Sequence, residues 1–537
     1  MAAKIQMKSL LRIAATTAIS FSLTAAAAVA QEQYLLHPEN TPPDDRRGGI
    51  FVVGLHIPMT HPIGVVASGL RNIPGTQLNA GLIRMSDNYE PVPYLADEWS
   101  YSDDGKQFSF RLNANARFHD GEDITCTDVA FSIKTSQENH PFKPMFAPVT
   151  GVDGGDGKDC TINLSTPHPA LLMALTPGLL PIVPEHIFND GQEMPTHPRL
   201  TENVIGSGPF KLAEWNGNGK IHFVKNDGFF IESLPYLDEV IMNVVPDAST
   251  NALGIESGQF DMVSIWSGDD IELARQNPNI KVVDKGFEAI GSIPWIQLNL
   301  RDEILSDVRV RQALWYGYDW EEYNEVVYAG QHRRQCTGIQ SQSPFYHSGA
   351  NCYDRDVEKG KALLAEAGYP DGVQLTISTF PGQLQTGAEI LKRQWAEIGV
   401  DLQIDVKPDE VTMLKEITRE NADFQISLVG LWNWGDPVIG VNRSYNCDNR
   451  KNNVAFSNMS WYCNEAVDAK LAEAGFEIDV EKRKELYFEA QEMINADVPV
   501  IYLTNEVWFT RMQNSVQNPP DGVWGWMDSW AELWLDS

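Results

Sequence analysis

Apolar residues recur along this chain in two rhythms, short runs of strand length and longer stretches with helical period. The first run, at 49–55, is broken by Pro58 and Pro62. Gly105 separates residues 99–104 from the alternating Phe108-Ser109-Phe110-Arg111-Leu112, which predicts a hairpin. Phe118-His119-Asp120-Gly121 reads as a turn, and 125–134 as the start of a helix with Thr125 or Thr127 as its cap. Pro- and Gly-rich text fills 141–157. Ile205-Gly206-Ser207-Gly208-Pro209-Phe210 then predicts a tight turn into a strand. Strands at 240–245 and 262–265 bracket a helix at 249–257. That order points to a βαβ unit and a partly parallel sheet.

After Gly286 the pattern restarts. A strand is predicted at 295–300, helices at 308–318 and 320–328, and a helix at 357–367 ended by Gly368 with Pro370 beyond it. A strand at 375–379, a helix at 389–398 stopped by Gly399, and strands at 400–406 and 424–429 complete a second α/β domain. Helices at 465–474 and 480–496 lead to a strand at 500–503 and a Trp-rich tail.

The head of the chain differs from all this. Lys4, Lys8 and Arg12 precede a short apolar-to-small stretch, and Ala28-Val29-Ala30 suits signal peptidase, so residues 1–30 are expected to be a cleaved signal peptide. Gln31 follows rather than a cysteine, so no lipid is expected there, and a soluble periplasmic protein is the reading. Residues 31–47 look like a polar, Pro-rich extended arm. With 537 residues the chain exceeds a single core. Its net charge of −32 argues against nucleic-acid or membrane-surface partners. The six cysteines pair by proximity as Cys126 with Cys160, Cys336 with Cys352, and Cys447 with Cys463, which suits an oxidising compartment. No cysteine or histidine spacing fits a metal site, and no cofactor is expected.

Five phrases in order carry a resemblance. They are Pro93-Tyr94-Leu95-Ala96-Asp97-Glu98-Trp99 with Asp104-Gly105-Lys106 and Phe118-His119-Asp120-Gly121; Gly206-Ser207-Gly208-Pro209-Phe210; Asp307-Val308-Arg309-Val310-Arg311-Gln312-Ala313-Leu314; Ala367-Gly368-Tyr369-Pro370-Asp371-Gly372; and Asn464-Glu465-Ala466-Val467-Asp468. In these the chain resembles the bacterial extracellular solute-binding family 5, which includes the peptide, dipeptide and nickel-complex receptors of ABC importers. The resemblance implies an α/β, two-lobe periplasmic binding protein fold (a Venus flytrap) with an extra subdomain in the first lobe. The first lobe is expected at 31–75, 204–287 and 500–537, the inserted subdomain at 76–203, and the second lobe at 288–499. Each proposed cysteine pair then falls within one lobe. The implied partners are a small-molecule ligand, peptide or oligosaccharide, and the permease subunits of an ABC transporter. A monomer is expected.

The same resemblance places the ligand between the lobes and one contacting segment at Gly430-Leu431-Trp432-Asn433-Trp434-Gly435-Asp436-Pro437. Peptide receptors of the family carry an aspartate four residues before the proline, to pair with the peptide ammonium; here that residue is Asn433. Losing that charge partner costs roughly 3–5 kcal/mol, on the order of a hundredfold to several thousandfold in affinity. A small gap in the alignment would instead bring Asp436 to the anchoring place. Trp432 and Trp434 suit stacking on ligand or core packing, and Trp295 stands beside the first expected hinge strand. Thr60 and His61 lie in the loop after the first strand, where His61 replaces an acid of the family. Arg333-Arg334 suits a carboxylate clamp or a solvated basic pair. The enzyme alternative, a secreted glycoside hydrolase, rests on acidic pairs such as Asp269-Asp270 and Glu321-Glu322. Among 73 acids such pairs arise by chance, and no nucleophile or phosphate-loop motif supports catalysis. The reading is capture and delivery of a small solute, with an oligopeptide or dipeptide first and an oligosaccharide or other uncharged polar solute as the alternative.

Overall fold

The computed structural model describes residues 33–56, 63–66, 72–217, 219–265 and 268–536. The segment expected to be a signal peptide and the loop holding Thr60 and His61 lie outside the described residues.

Three main sheets organise the chain. At the centre of the first, Ile50–Leu55 runs parallel to Glu239–Val244 on one side and Met262–Ile265 on the other. The expected βαβ unit is therefore present, with the first strand of the chain lying between its two strands. Its helix, Ala248–Glu256, closes on the sheet over Gly54; a Cβ there would stand 2.2 Å from Asn251 Oδ1. Lys220–Lys225 and Phe210–Trp215 extend one edge antiparallel, and Phe509–Gln513 and Ile280–Val283 extend the other.

The second sheet runs in the order Val400–Val406, Val373–Thr379, Ile426–Trp432, Ser292–Leu298, Val500–Tyr502. One strand falls across the expected boundary. Val500–Tyr502 was expected in the first lobe, yet it pairs antiparallel with Ser292–Leu298, Trp295 opposite Tyr502. The chain crosses between the two sheets twice, at 284–291 and 503–508. Phe287 and Trp508, one from each crossing, meet with ring centroids 5.4 Å apart.

The third sheet is antiparallel: Ala96–Tyr101, Gln107–Leu112, Asp159–Leu164, Val149–Asp153. The helix Cys126–Asn139 starts in a capping box between Thr125 and Asp128. The Cys126–Cys160 disulfide fastens that helix to its sheet, with Cα atoms 5.5 Å apart. Cys336–Cys352 and Cys447–Cys463 form the other two bonds, so all three pairings drawn from proximity are present. Ser207 of the Gly-Ser-Gly-Pro turn donates to Ile182 O at 3.0 Å and accepts from Ala80 N at 2.9 Å, tying the third sheet's unit to the first. A Cβ on Gly206 would come within 2.0 Å of Leu78 O, which is why the turn needs glycine.

The polar arm is anchored. Leu36 N–H reaches the carboxylate of Glu532, which with Asp528 neutralises the buried Arg84. Two large cores result, one under the first and third sheets and one in the second. Trp434 and Ile439 of the second lobe belong to the first of these cores, so the lobes are in contact.

Candidate functional site

The segment after Ile426–Trp432 reverses the chain through two left-handed residues, Trp434 at φ 54° and Gly435 at φ 79°. A bulky side chain in that region is strained by roughly 1–3 kcal/mol. Burial holds Trp434 there. Its ring lies 4.7 Å from Phe142 of the inserted subdomain and 6.4 Å from Trp524 of the first lobe, and its buried Nε1 has no hydrogen-bond partner among the described residues. A Cβ on Gly435 would strike Met173 Sδ at 2.4 Å. This turn thus meets the inserted subdomain at Phe142 and Met173 and the first lobe at Trp524.

Asn433 is buried, and both polar atoms of its side chain are engaged within the protein. Its Oδ1 accepts from Gln340 N at 2.9 Å, and its Nδ2 donates to Gly291 O and Gly338 O, each at 3.2 Å. Asp436 caps the short helix Pro437–Gly440 through Val438 N and receives two hydrogen bonds of 2.8 Å from Arg483. Burial works against the Arg483 charge, and Asp436 more than offsets it, so the guanidinium pKa stands above the ordinary arginine value. The Asn433 and Asp436 side chains are both buried and turned to partners within the protein.

The other expected contacts divide. Trp432 is half-buried, its ring 5.1 Å from Phe456. Trp295 packs inside the second lobe against Tyr445 and Tyr502, on an interior strand whose seven residues are all buried. The expected ligand contact of Trp295 is not supported by that placement. Arg334 pairs with Asp354 on the second lobe, whereas Arg333 lines the space between the lobes.

That space is a narrow crevice between the two crossing segments and the second lobe. Glu288 and Phe287 line it from the first crossing, Glu506 and Trp508 from the second, and Gln340 and Arg333 from the second lobe. Glu288 accepts N–H from Gly286 at 2.8 Å and Phe287 at 2.9 Å. Burial pushes the carboxyls of Glu288 and Glu506 above the usual glutamate range. Gln340 Nε2 donates to Tyr89 OH at 2.7 Å, spanning the gap, while its backbone N–H holds Asn433. Sequence reasoning passed over Gln340, Glu288 and Glu506 because their neighbours in sequence form no motif. The nearness of residues 284–291 to an expected hinge was the one available signal.

This polar crevice at the junction of the two lobes, with amides, charges and aromatic walls, is the candidate binding site. Among the described residues no cluster of histidine, cysteine or acidic side chains could hold a metal ion. Residues 90–452, well over half of the chain, match the model of the "Bacterial extracellular solute-binding proteins, family 5 Middle". The chain is 27% identical over 468 residues to heme-binding protein A of Haemophilus influenzae, covering 80% of this chain and 82% of that protein. It is 25% identical over 456 residues to the dipeptide-binding protein of Escherichia coli, covering 80% and 83%. The ABC transporter substrate-binding protein CtaP of Listeria monocytogenes shares the fold with a TM-score of 0.80 at 23% identity, over 91% of this chain and 100% of that one. The chain belongs to the bacterial extracellular solute-binding proteins of family 5 and is a binding protein, not an enzyme.

Proposed function

We propose that this protein captures a small polar solute in the periplasm, as a monomer, and presents it to the permease subunits of an ABC importer. The solute lies between the two lobes, and contacts to both sides stabilise the closed form. One observation carries the reading of ligand class: the buried Asn433 side chain is engaged by Gln340, Gly291 and Gly338, and Asp436 is held by Arg483. A peptide or peptide-like solute therefore binds without an ammonium anchor in this turn. An oligosaccharide is the second reading, favoured by Gln340, Gln342 and Asn505 beside the Phe287 and Trp508 rings in the crevice.

Calorimetry with Ala-Ala and N-acetyl-Ala-Ala tests the reading, with equal affinities expected. A loss of about a hundredfold on acetylation would restore the ammonium anchor. Mass spectrometry of protein released natively from periplasm identifies the copurifying solute; a chemically altered product after incubation would overturn the receptor role.

A further inference from the structure

Arg443 lies in the 3-10 turn Asn442–Ser444 of the second lobe, shortly after the 433–436 reversal. Its Cζ is 5.1 Å from the ring of Phe142, the same inserted-subdomain ring that meets Trp434. Its Nε donates to Gly440 O at 3.0 Å, its only hydrogen bond among the described residues. No described carboxylate comes within ion-pair distance. Three of the four arginines buried among the described residues show how this fold treats such a charge elsewhere. Arg84 meets Asp528 and Glu532, Arg483 meets Asp436, and Arg311 is wrapped by the carbonyls of Leu305, Ser306, Asp497 and Val498. Arg443 has no such complement, in a chain with 73 acids. Burial alone pulls its pKa down to about 10.

An unneutralised, half-buried guanidinium between two closing surfaces is costly unless an anion reaches it. We propose that Arg443 is the anion-holding residue of the cleft and takes a carboxylate of the captured solute, between the inserted subdomain and the second lobe. This rests on the capture reading above and narrows it. The fork geometry of guanidinium suits a carboxylate bidentately. A single cation without a second beside it matches a monoanion rather than a phosphate dianion. With Asn433 and Asp436 engaged internally, charge recognition at this end of the cleft is for a negative group.

The test uses the mature protein and solute pairs that differ only in that group: Ala-Ala and its C-terminal amide, N-acetyl-Ala-Ala and its amide, galacturonic acid and galactose. Calorimetry on the wild type is expected to favour the acid by about a hundredfold in at least one pair. Arg443→Gln should erase the preference and Arg443→Lys should keep part of it. Without solute, Arg443→Gln should unfold at the same or a higher temperature, because it removes an unmatched charge; a structural arginine would leave a less stable protein. Equal binding of acid and neutral members by the wild type would overturn the assignment while leaving capture intact, as would a preference that survives Arg443→Gln. Binding of neither member of any pair also overturns the carboxylate assignment, and capture then stands or falls on the copurified solute.

Discussion

Arg483 holds Asp436 through two hydrogen bonds of 2.8 Å, with both side chains buried where the inserted subdomain meets the second lobe. The acid that the sequence offered as a ligand anchor is one half of an internal pair.

Removing one partner leaves a buried charge alone. Asp436→Asn should lower stability by about 3–5 kcal/mol, read as a fall in the thermal midpoint. Replacing both residues with Leu and Met should recover much of that loss. An unchanged midpoint in the single variant would show that the pair is absent in solution.

Asn433→Asp tests the same turn by charge. The amide Nδ2 donates to Gly291 O and Gly338 O, and a carboxylate cannot. The variant should lose about 1–3 kcal/mol of stability with no gain in affinity for Ala-Ala. Tighter binding of Ala-Ala, measured calorimetrically, would return this position to the ligand.

The Gln340–Tyr89 hydrogen bond spans the gap at 2.7 Å. Tyr89→Phe removes it at about 0.5–1.5 kcal/mol, all of it in the closed form. Solute affinity should fall by about threefold to tenfold with little change in the unfolding midpoint of the empty protein. Unaltered affinity for the copurified solute would exclude the bond from closure.

Glu288 and Glu506 give a pH signature. Burial raises both carboxyl pKa values, so the folded protein binds these protons more readily than the unfolded chain. Their contribution is fully present below the ordinary glutamate value of 4.5 and is lost as pH climbs through the raised folded values. Glu506→Gln should therefore gain stability relative to the wild type between acidic pH and pH 7. Parallel stability–pH curves for the two proteins would refute this.

Much of the fold was legible because local signals carried it. The capping box at Thr125, the turn at Gly206-Ser207-Gly208, and the cysteine spacings each report on a few adjacent residues. Val500–Tyr502 was misplaced because a short apolar run says nothing about which sheet will accept it. Arg483 was hidden between Lys482 and Lys484 in a helix that reads as solvated, although it is 4% exposed. The internal engagement of Asn433 depends on Gln340, Gly291 and Gly338, contacts that only the tertiary fold creates.

Ser292–Leu298 and Val500–Tyr502 are antiparallel neighbours, so both linkers leave the second lobe from one side of its sheet. Arg333 and Asn505 exchange backbone hydrogen bonds of 3.0 and 2.8 Å just beyond, keeping the second linker fixed to that lobe. Such a junction permits rotation about one axis and resists twist or sideways slip. A transporter touching both rims would then need to sense only a single angle to tell a loaded receptor from an empty one.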